Sequence, residues 1–282
     1  MKEQEIKKTV RERYGKLARL GGSCYAPQAQ SCCGGTDLAK TLSKSAGYTD
    51  EDLNAAPEGA NLGLGCGNPV ALASLKEGEV VVDLGSGAGF DCFLASRIVG
   101  EKGKVIGVDM TAEMLEKARE NAAKGGYKNV EFRLGEIENL PVANSFADII
   151  ISNCVINLSP DKKRVFSEAY RVLKPGGRLM VSDIVLLEEL PQAVQKSVSA
   201  YIGCVAGALL KERYLETIKS AGFSEVKVIG ETSFGEQVLE AEPALKAIAN
   251  SESIPESDMT KAGKAVRSIR LAPSNGVNKE EY

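Results

Sequence analysis

Seven cysteines and a complete absence of histidine frame the chemistry open to this chain of 282 residues. Thiols act as nucleophiles, redox partners or soft ligands. Cys24, Cys32, Cys33, Cys66, Cys92, Cys154 and Cys204 follow no regular spacing. An odd number of thiols in a chain of this size fits a reducing compartment better than a secreted disulfide framework, so each needs its own explanation. The missing histidine removes the usual general base, the usual catalytic triads and every zinc site built on imidazole. No Cys-x-x-Cys pair is present to rescue a zinc reading.

A second constellation is Val81-Val-Asp-Leu-Gly-Ser-Gly-Ala-Gly89, an apolar run entering a Gly-x-Gly-x-Gly turn. Glycine at 85, 87 and 89 permits a tight turn and close approach of the backbone to a ligand, and a following helix offers unpaired amide donors. Asp109 lies 24 residues beyond Gly85, near the distance at which a carboxylate reaches ribose hydroxyls. Thr111 can cap the next helix, which leaves that carboxylate for the ligand. Cys66 sits between Gly65 and Gly67 beside a helix start at Pro69, a setting that predicts an accessible thiol of lowered pKa. Cys92, inside an apolar helical stretch, reads as a buried structural thiol.

These residues need a scaffold. Apolar runs alternate with helical periods from Val80 onward, the pattern of parallel strands joined by crossover helices. Strands are predicted at Val80 to Leu84, Lys104 to Val108, Val130 to Leu134, Ala147 to Ser152 and Arg178 to Ser182. Helices are predicted at Phe90 to Val99, Ala112 to Lys124 and Asp161 to Leu173, the last stopped by Lys174-Pro-Gly-Gly177. The fold class is α/β, a doubly wound Rossmann-like sheet. Before it stand a charged helix over residues 2–20, a Cys-bearing loop from Gly21 to Thr36, and a short helix from Pro69 to Leu75. After it come a helix around Gln192 to Ala206, another over Glu212 to Ala221, a strand at Glu225 to Ile229, a surface linker at Glu252 to Lys261 and a last strand at Val266 to Leu271. The expected organisation is 1–75 as helix and cysteine loops, 76–185 as the nucleotide-binding core, 186–235 as completion of that core, and 236–282 as a smaller α+β extension.

The glycine turn with Asp83 two residues before it resembles the class I S-adenosylmethionine methyltransferases. The resemblance continues in order through Gly135-Glu-Ile-Glu-Asn-Leu-Pro141, Phe146-Ala-Asp-Ile-Ile-Ile-Ser-Asn153 and Arg171-Val-Leu-Lys-Pro-Gly-Gly177. It implies S-adenosylmethionine as cofactor, with Asp83, Gly85 and Gly87 at the methionine end, Asp109 on the ribose, and Ser86 and Asn153 among the cofactor-binding residues. Met110 packs on adenine or belongs to the core. Ile137, with Glu136 or Glu138, edges the base.

Three further segments carry a narrower likeness. Gly89-Phe-Asp-Cys-Phe-Leu94, Ile151-Ser-Asn-Cys-Val-Ile-Asn-Leu-Ser-Pro-Asp161 and Tyr201-Ile-Gly-Cys-Val-Ala-Gly-Ala-Leu209 resemble the arsenite methyltransferase family. That resemblance implies trivalent arsenic bound by Cys66, Cys154 and Cys204. It also implies substrate capture and redox cycling by Cys66 and one N-terminal cysteine, Cys32 by register rather than the adjacent Cys33. Arsenite and methylated arsenicals become the expected substrates, and a thioredoxin or a small thiol the expected reductant. No cysteine follows Cys204, so a C-terminal thiol pair has no counterpart here. Attack by an arsenic lone pair needs alignment and exclusion of water rather than proton removal, which agrees with the missing histidine. Two competing readings are methylation of a small organic acceptor such as a quinone precursor, which calls for a base, and a thiol-based metalloid sensor.

A net charge of −3 without a long basic block argues against nucleic acid. The most apolar stretch, Tyr201 to Leu210, is about half the length of a membrane-spanning helix. A cytoplasmic enzyme with a small-molecule partner is the expectation.

Overall fold

The computed structural model describes residues 3–20, 35–233 and 254–276. Within them a seven-stranded sheet has the order β3-β2-β1-β4-β5-β7-β6. The strands are β1 (Val80–Leu84), β2 (Lys104–Asp109), β3 (Val130–Leu134), β4 (Ala147–Asn153), β5 (Leu173–Leu186), β6 (Val228–Ser233) and β7 (Val266–Leu271). β1 to β5 run parallel, while β7 lies antiparallel between β5 and β6.

Both faces of the parallel region are covered, which explains why its strands read as continuous apolar runs. Val82, Leu84, Ile106 and Ile150 point to one side, against Phe166 and Val165 of α7 (Lys162–Val172) and Tyr214 and Ile218 of α10 (Lys211–Ser220). Their strand neighbours Val81, Val105, Ile149 and Ile151 point to the other. They meet Cys92 and Phe93 of α5 (Phe90–Val99) and Leu115 of α6 (Ala112–Gly125). Cys92 is fully buried there, as a structural thiol.

The N-terminal helix α1 (Glu3–Leu20) lies on α6, tied by the Arg19–Glu113 ion pair and by Lys117 donating to the Ala18 carbonyl. Two helices absent from the sequence expectation follow, α2 (Gly35–Ser45) and α3 (Asp50–Ala55). The second starts with a capping box: the Thr49 hydroxyl accepts from Asp52 N–H, and the Asp52 carboxylate accepts from Thr49 N–H. Helix α4 (Pro69–Leu72) is shorter than predicted, because Ser74 takes a left-handed φ of 45°.

Other boundaries also move. The single helix expected over Gln192 to Ala206 is two, α8 (Gln192–Gln195) and α9 (Val198–Ile202), because the Ser197 hydroxyl caps a fresh start at Ala200 N–H. β6 begins at Val228 rather than Glu225, whose φ of 50° breaks the strand. Lys174-Pro-Gly-Gly177 does not separate helix from strand. Leu173 already pairs with Ala147, and the register slips before Arg178 pairs with Ile149. The expected surface linker is largely helix α11 (Glu256–Ala265), which buries Ala262 and Ala265. No helix among the described residues is long and apolar enough to cross a membrane.

Candidate active site

The carboxyl ends of β1, β2 and β4 open into a cavity built around the glycine turn. Gly85, Gly87 and Gly89 take φ values of 68°, 51° and 92°, and a Cβ at Gly85 would collide with Val155. An L-residue meets both a backbone and a space objection at Gly85. The turn carries the chain into α5. Asp109, at the end of β2, accepts from Gly87 N–H at 3.0 Å and from Thr111 N–H at 2.8 Å, which aims its carboxylate at the cavity. Thr111 opens α6 without a side-chain cap bond.

The cavity is lined by carboxyl groups at one end and by apolar side chains at the other. Burial pushes the Asp83 carboxyl well above the ordinary range, helped by the charge of Asp91, and burial also raises Asp109. Asp91 is held at about 6 by the same loss of water. Such carboxylates are relieved by a positively charged guest. The Ser86 hydroxyl is buried without a partner among the described residues, an open hydrogen-bonding position on the same wall. Met110, Ile137 and Leu158 line the apolar end, and Met110 also packs against the core cluster that holds Ile184 and Leu186. Glu138 faces this cavity, while Glu136 turns outward to Lys7 and Arg11 of α1. Val10 and Tyr14 of α1 complete the wall. A cationic amino-acid end, ribose hydroxyls and an apolar base fit these groups in that order. The donors and spaces suit S-adenosylmethionine.

Three thiols converge at the far wall. Cys154 follows β4, Cys204 follows α9, and Cys66 sits in the loop before α4. The Cys66 and Cys154 sulfurs and an Asp183 carboxylate oxygen all lie within 4.8 Å of one another. The Cys204 thiol donates to the Cys154 carbonyl at 2.8 Å. Cys154 lines both the glycine cavity and a second cavity shared with Cys66 and Cys204. Cys154 and Cys204 hold left-handed φ values of 60° and 64°. Such strain in residues other than glycine gathers where geometry serves function.

The Cys66 thiol is not activated as its glycine neighbours suggest. Burial pushes it up, and the charge of Asp183 adds to that, so the expected lowered pKa is reversed. Hydrogen bonds with Cys204 and Cys66 push Cys154 well above the ordinary thiol value. Cys66 and Cys154 therefore both favour the protonated thiol.

Asn153 lines the cavity, but its amide is committed to the protein. It donates to Gly67 O, to Tyr48 Oη and to Asp91 Oδ2, and it accepts from Cys66 N–H. It therefore tethers the Cys66 loop to the start of α5 rather than standing free for a cofactor. Tyr48, whose hydroxyl donates to Asp91 at 2.6 Å, and Asp183 are site residues that sequence reasoning missed. Tyr48 lies in a stretch without periodicity. Asp183 offers one signal, an acid within an otherwise apolar strand end. Cys24, Cys32 and Cys33 lie outside the described residues.

Sheet order, the glycine turn and the acid that ends β2 define a class I methyltransferase. Residues 75–222 match the family model described as a methyltransferase domain. An arsenite methyltransferase from Halobacterium salinarum is 48% identical over 230 residues, which is 80% of this chain and 59% of that protein. The human arsenite methyltransferase is 36% identical over 239 residues, 81% of this chain and 61% of its own length. An arsenic(III) S-adenosylmethionine methyltransferase structure from Chlamydomonas reinhardtii superposes with a TM-score of 0.60 at 32% identity, covering 86% of this chain and 75% of that one. The chain belongs to the arsenite methyltransferase family. It spans about three fifths of the length of the two curated relatives.

Proposed function

We propose that this chain transfers methyl groups from S-adenosylmethionine to trivalent arsenic held by Cys66, Cys154 and Cys204. The observation that carries this reading is Cys154, which borders the cofactor-shaped cavity, has the Cys66 sulfur within 4.8 Å of its own and accepts the Cys204 thiol at its carbonyl. S-adenosylmethionine, when bound, supplies an electrophilic methyl group on a positively charged sulfur. Asp83 and Asp91 favour its charge, Asp109 takes the ribose hydroxyls, and Met110, Ile137 and Glu138 border the base. Arsenic is soft and thiophilic. Each arsenic hydroxyl leaves as water with the proton of the thiol that replaces it, so protonated thiols are a workable starting state and no separate base is required. Three sulfurs fill the coordination sphere and leave the lone pair as nucleophile.

Methylation oxidises arsenic by two electrons. Return to the trivalent state consumes two thiols and leaves a disulfide, which a thioredoxin or a small thiol then reduces. Cys32 is our candidate for the thiol that pairs with Cys66. Arsenite and methylated arsenicals are the proposed substrates, and a cytoplasmic site of action fits the thiol chemistry. A quinone-type acceptor would need a base at this wall, and the carboxylate there, Asp183, is already engaged by Asn157, Ile184 N–H and the Tyr214 hydroxyl.

Cys154→Ser and Cys204→Ser test the assignment. Each is expected to abolish arsenite binding and methylarsenical formation, followed by mass spectrometry with isotope-labelled cofactor, while cofactor affinity holds. Normal turnover in either variant rejects the thiol trio.

A further inference from the structure

The second cavity contains a cation that the arsenic trio does not use. Ser268 and Arg270 are two residues apart on β7 and so share one face of the sheet. Ser268 donates to the Cys66 carbonyl at 3.1 Å, which identifies that face as the floor beneath the Cys66 loop. On β6, Thr232 pairs with Ser268 and Gly230 with Arg270. The Arg270 side chain lies across Gly230, where a Cβ would stand 2.5 Å from its Nε. Arg270 and Thr232 line the same cavity as Cys66, Cys154 and Cys204.

Arg270 is half-buried, and among the described residues its guanidinium makes no hydrogen bond or ion pair. Arg171 and Arg178 behave differently, each spending its guanidinium on several acceptors. A planar, permanently charged guanidinium that is partly shielded from water and has no partner among the described residues favours an anion beside it. Arsenous acid is uncharged at neutral pH and gives the guanidinium nothing to bind.

We propose that Arg270, with the Thr232 hydroxyl beside it, is an oxyanion subsite of the thiol cavity. Its ligand is a compact oxyanion that comes to the sulfurs: the carboxylate of a small thiol, or the arsonate group of a pentavalent methylated arsenical. The proposal gains its purpose from the arsenic reading above, but binding at the subsite is measured without arsenite.

The test is calorimetry on the full chain under reducing conditions, with methylarsonate, 3-mercaptopropionate and the neutral 2-mercaptoethanol as separate probes. At least one anionic probe binds the unaltered protein, and 2-mercaptoethanol binds more weakly. Arg270→Met weakens the anion on the order of tenfold or more, the size of one charge-assisted pair. Arg270→Lys recovers part of that loss and stands in if the methionine variant folds poorly. Gly230→Ala keeps the charge but displaces the guanidinium, and weakens the anion too. Binding of methylarsonate identifies the pentavalent arsenical as ligand; selective binding of 3-mercaptopropionate identifies the thiol carboxylate. Failure of both anions to bind, or equal binding by Arg270→Met, overturns the subsite. Anion binding that survives in a protein unable to capture arsenite removes the proposed function and leaves the subsite standing.

Discussion

At the scale of single residues, the site depends on atoms that are missing as much as on those present. Gly85 combines a left-handed backbone with a lack of room beside Val155. Gly85→Ala is expected to cost on the order of 2 kcal/mol in stability and to weaken S-adenosylmethionine binding, since the turn must move away from the cavity. Denaturant titration and equilibrium dialysis read the two effects, and unchanged cofactor affinity would show that the turn is not the cradle. The three thiols make a similar point about environment. Their sequence neighbours suggest an activated Cys66, whereas burial, helped by the charge of Asp183, pushes its pKa up and favours the protonated thiol, a state suited to exchange with arsenic hydroxyls.

At the scale of elements, a short loop joins the two cavities. Residues 65–67 are pinned above by Asn153 and below by Ser182 and Ser268. Gly67 permits that closeness, since a Cβ there would lie 2.6 Å from the buried Ser182 hydroxyl. Gly67→Ala should lift the loop, at a cost of about 1–3 kcal/mol, and slow arsenite capture while leaving cofactor affinity intact. Stopped-flow trapping of arsenite against cofactor titration separates the outcomes; parallel loss of both would place the effect in the fold at large. Tyr48 and Asp91 hold the other side of the same tether, so hydrogen bonds through Asn153 link the Cys66 loop to the start of α5.

At the scale of the whole molecule, buried acids set a pH dependence. Burial holds Asp183 at about 6 against an ordinary 3.8. A carboxyl that ionises less readily in the fold stabilises it fully while protonated, below 3.8, and that contribution is lost as pH rises through about 6. Asp183→Asn keeps the oxygen that accepts from Ile184 N–H and Asn157, replaces the acceptor of the Tyr214 hydroxyl by an amide donor, and cannot ionise. Without arsenic or cofactor, the stability of the unaltered chain should fall relative to the variant across that window by on the order of 3 kcal/mol. Urea denaturation at several pH values checks this, and parallel profiles would contradict it.

The amino-acid sequence by itself determined the parallel sheet and the cofactor turn. Val81-Val82 and Ile149-Ile150-Ile151 must be buried on both faces wherever they pair, and Gly85 to Gly89 carries its conformational freedom locally. Both signals act within a few residues, so they survive without knowledge of the rest. The cysteines were legible as candidates through family likeness, but their meeting was decided only in three dimensions. Residues 66, 154 and 204 come from separate loops, and the contact between them follows from sheet order. Protonation states, the diversion of Asn153 to the Cys66 loop, the splitting of the helix after Pro191 and the position of Arg270 over Gly230 belong to the same class. Each depends on what stands across a gap from a residue, and burial and electrostatics at a point are sums over neighbours that chain order does not name.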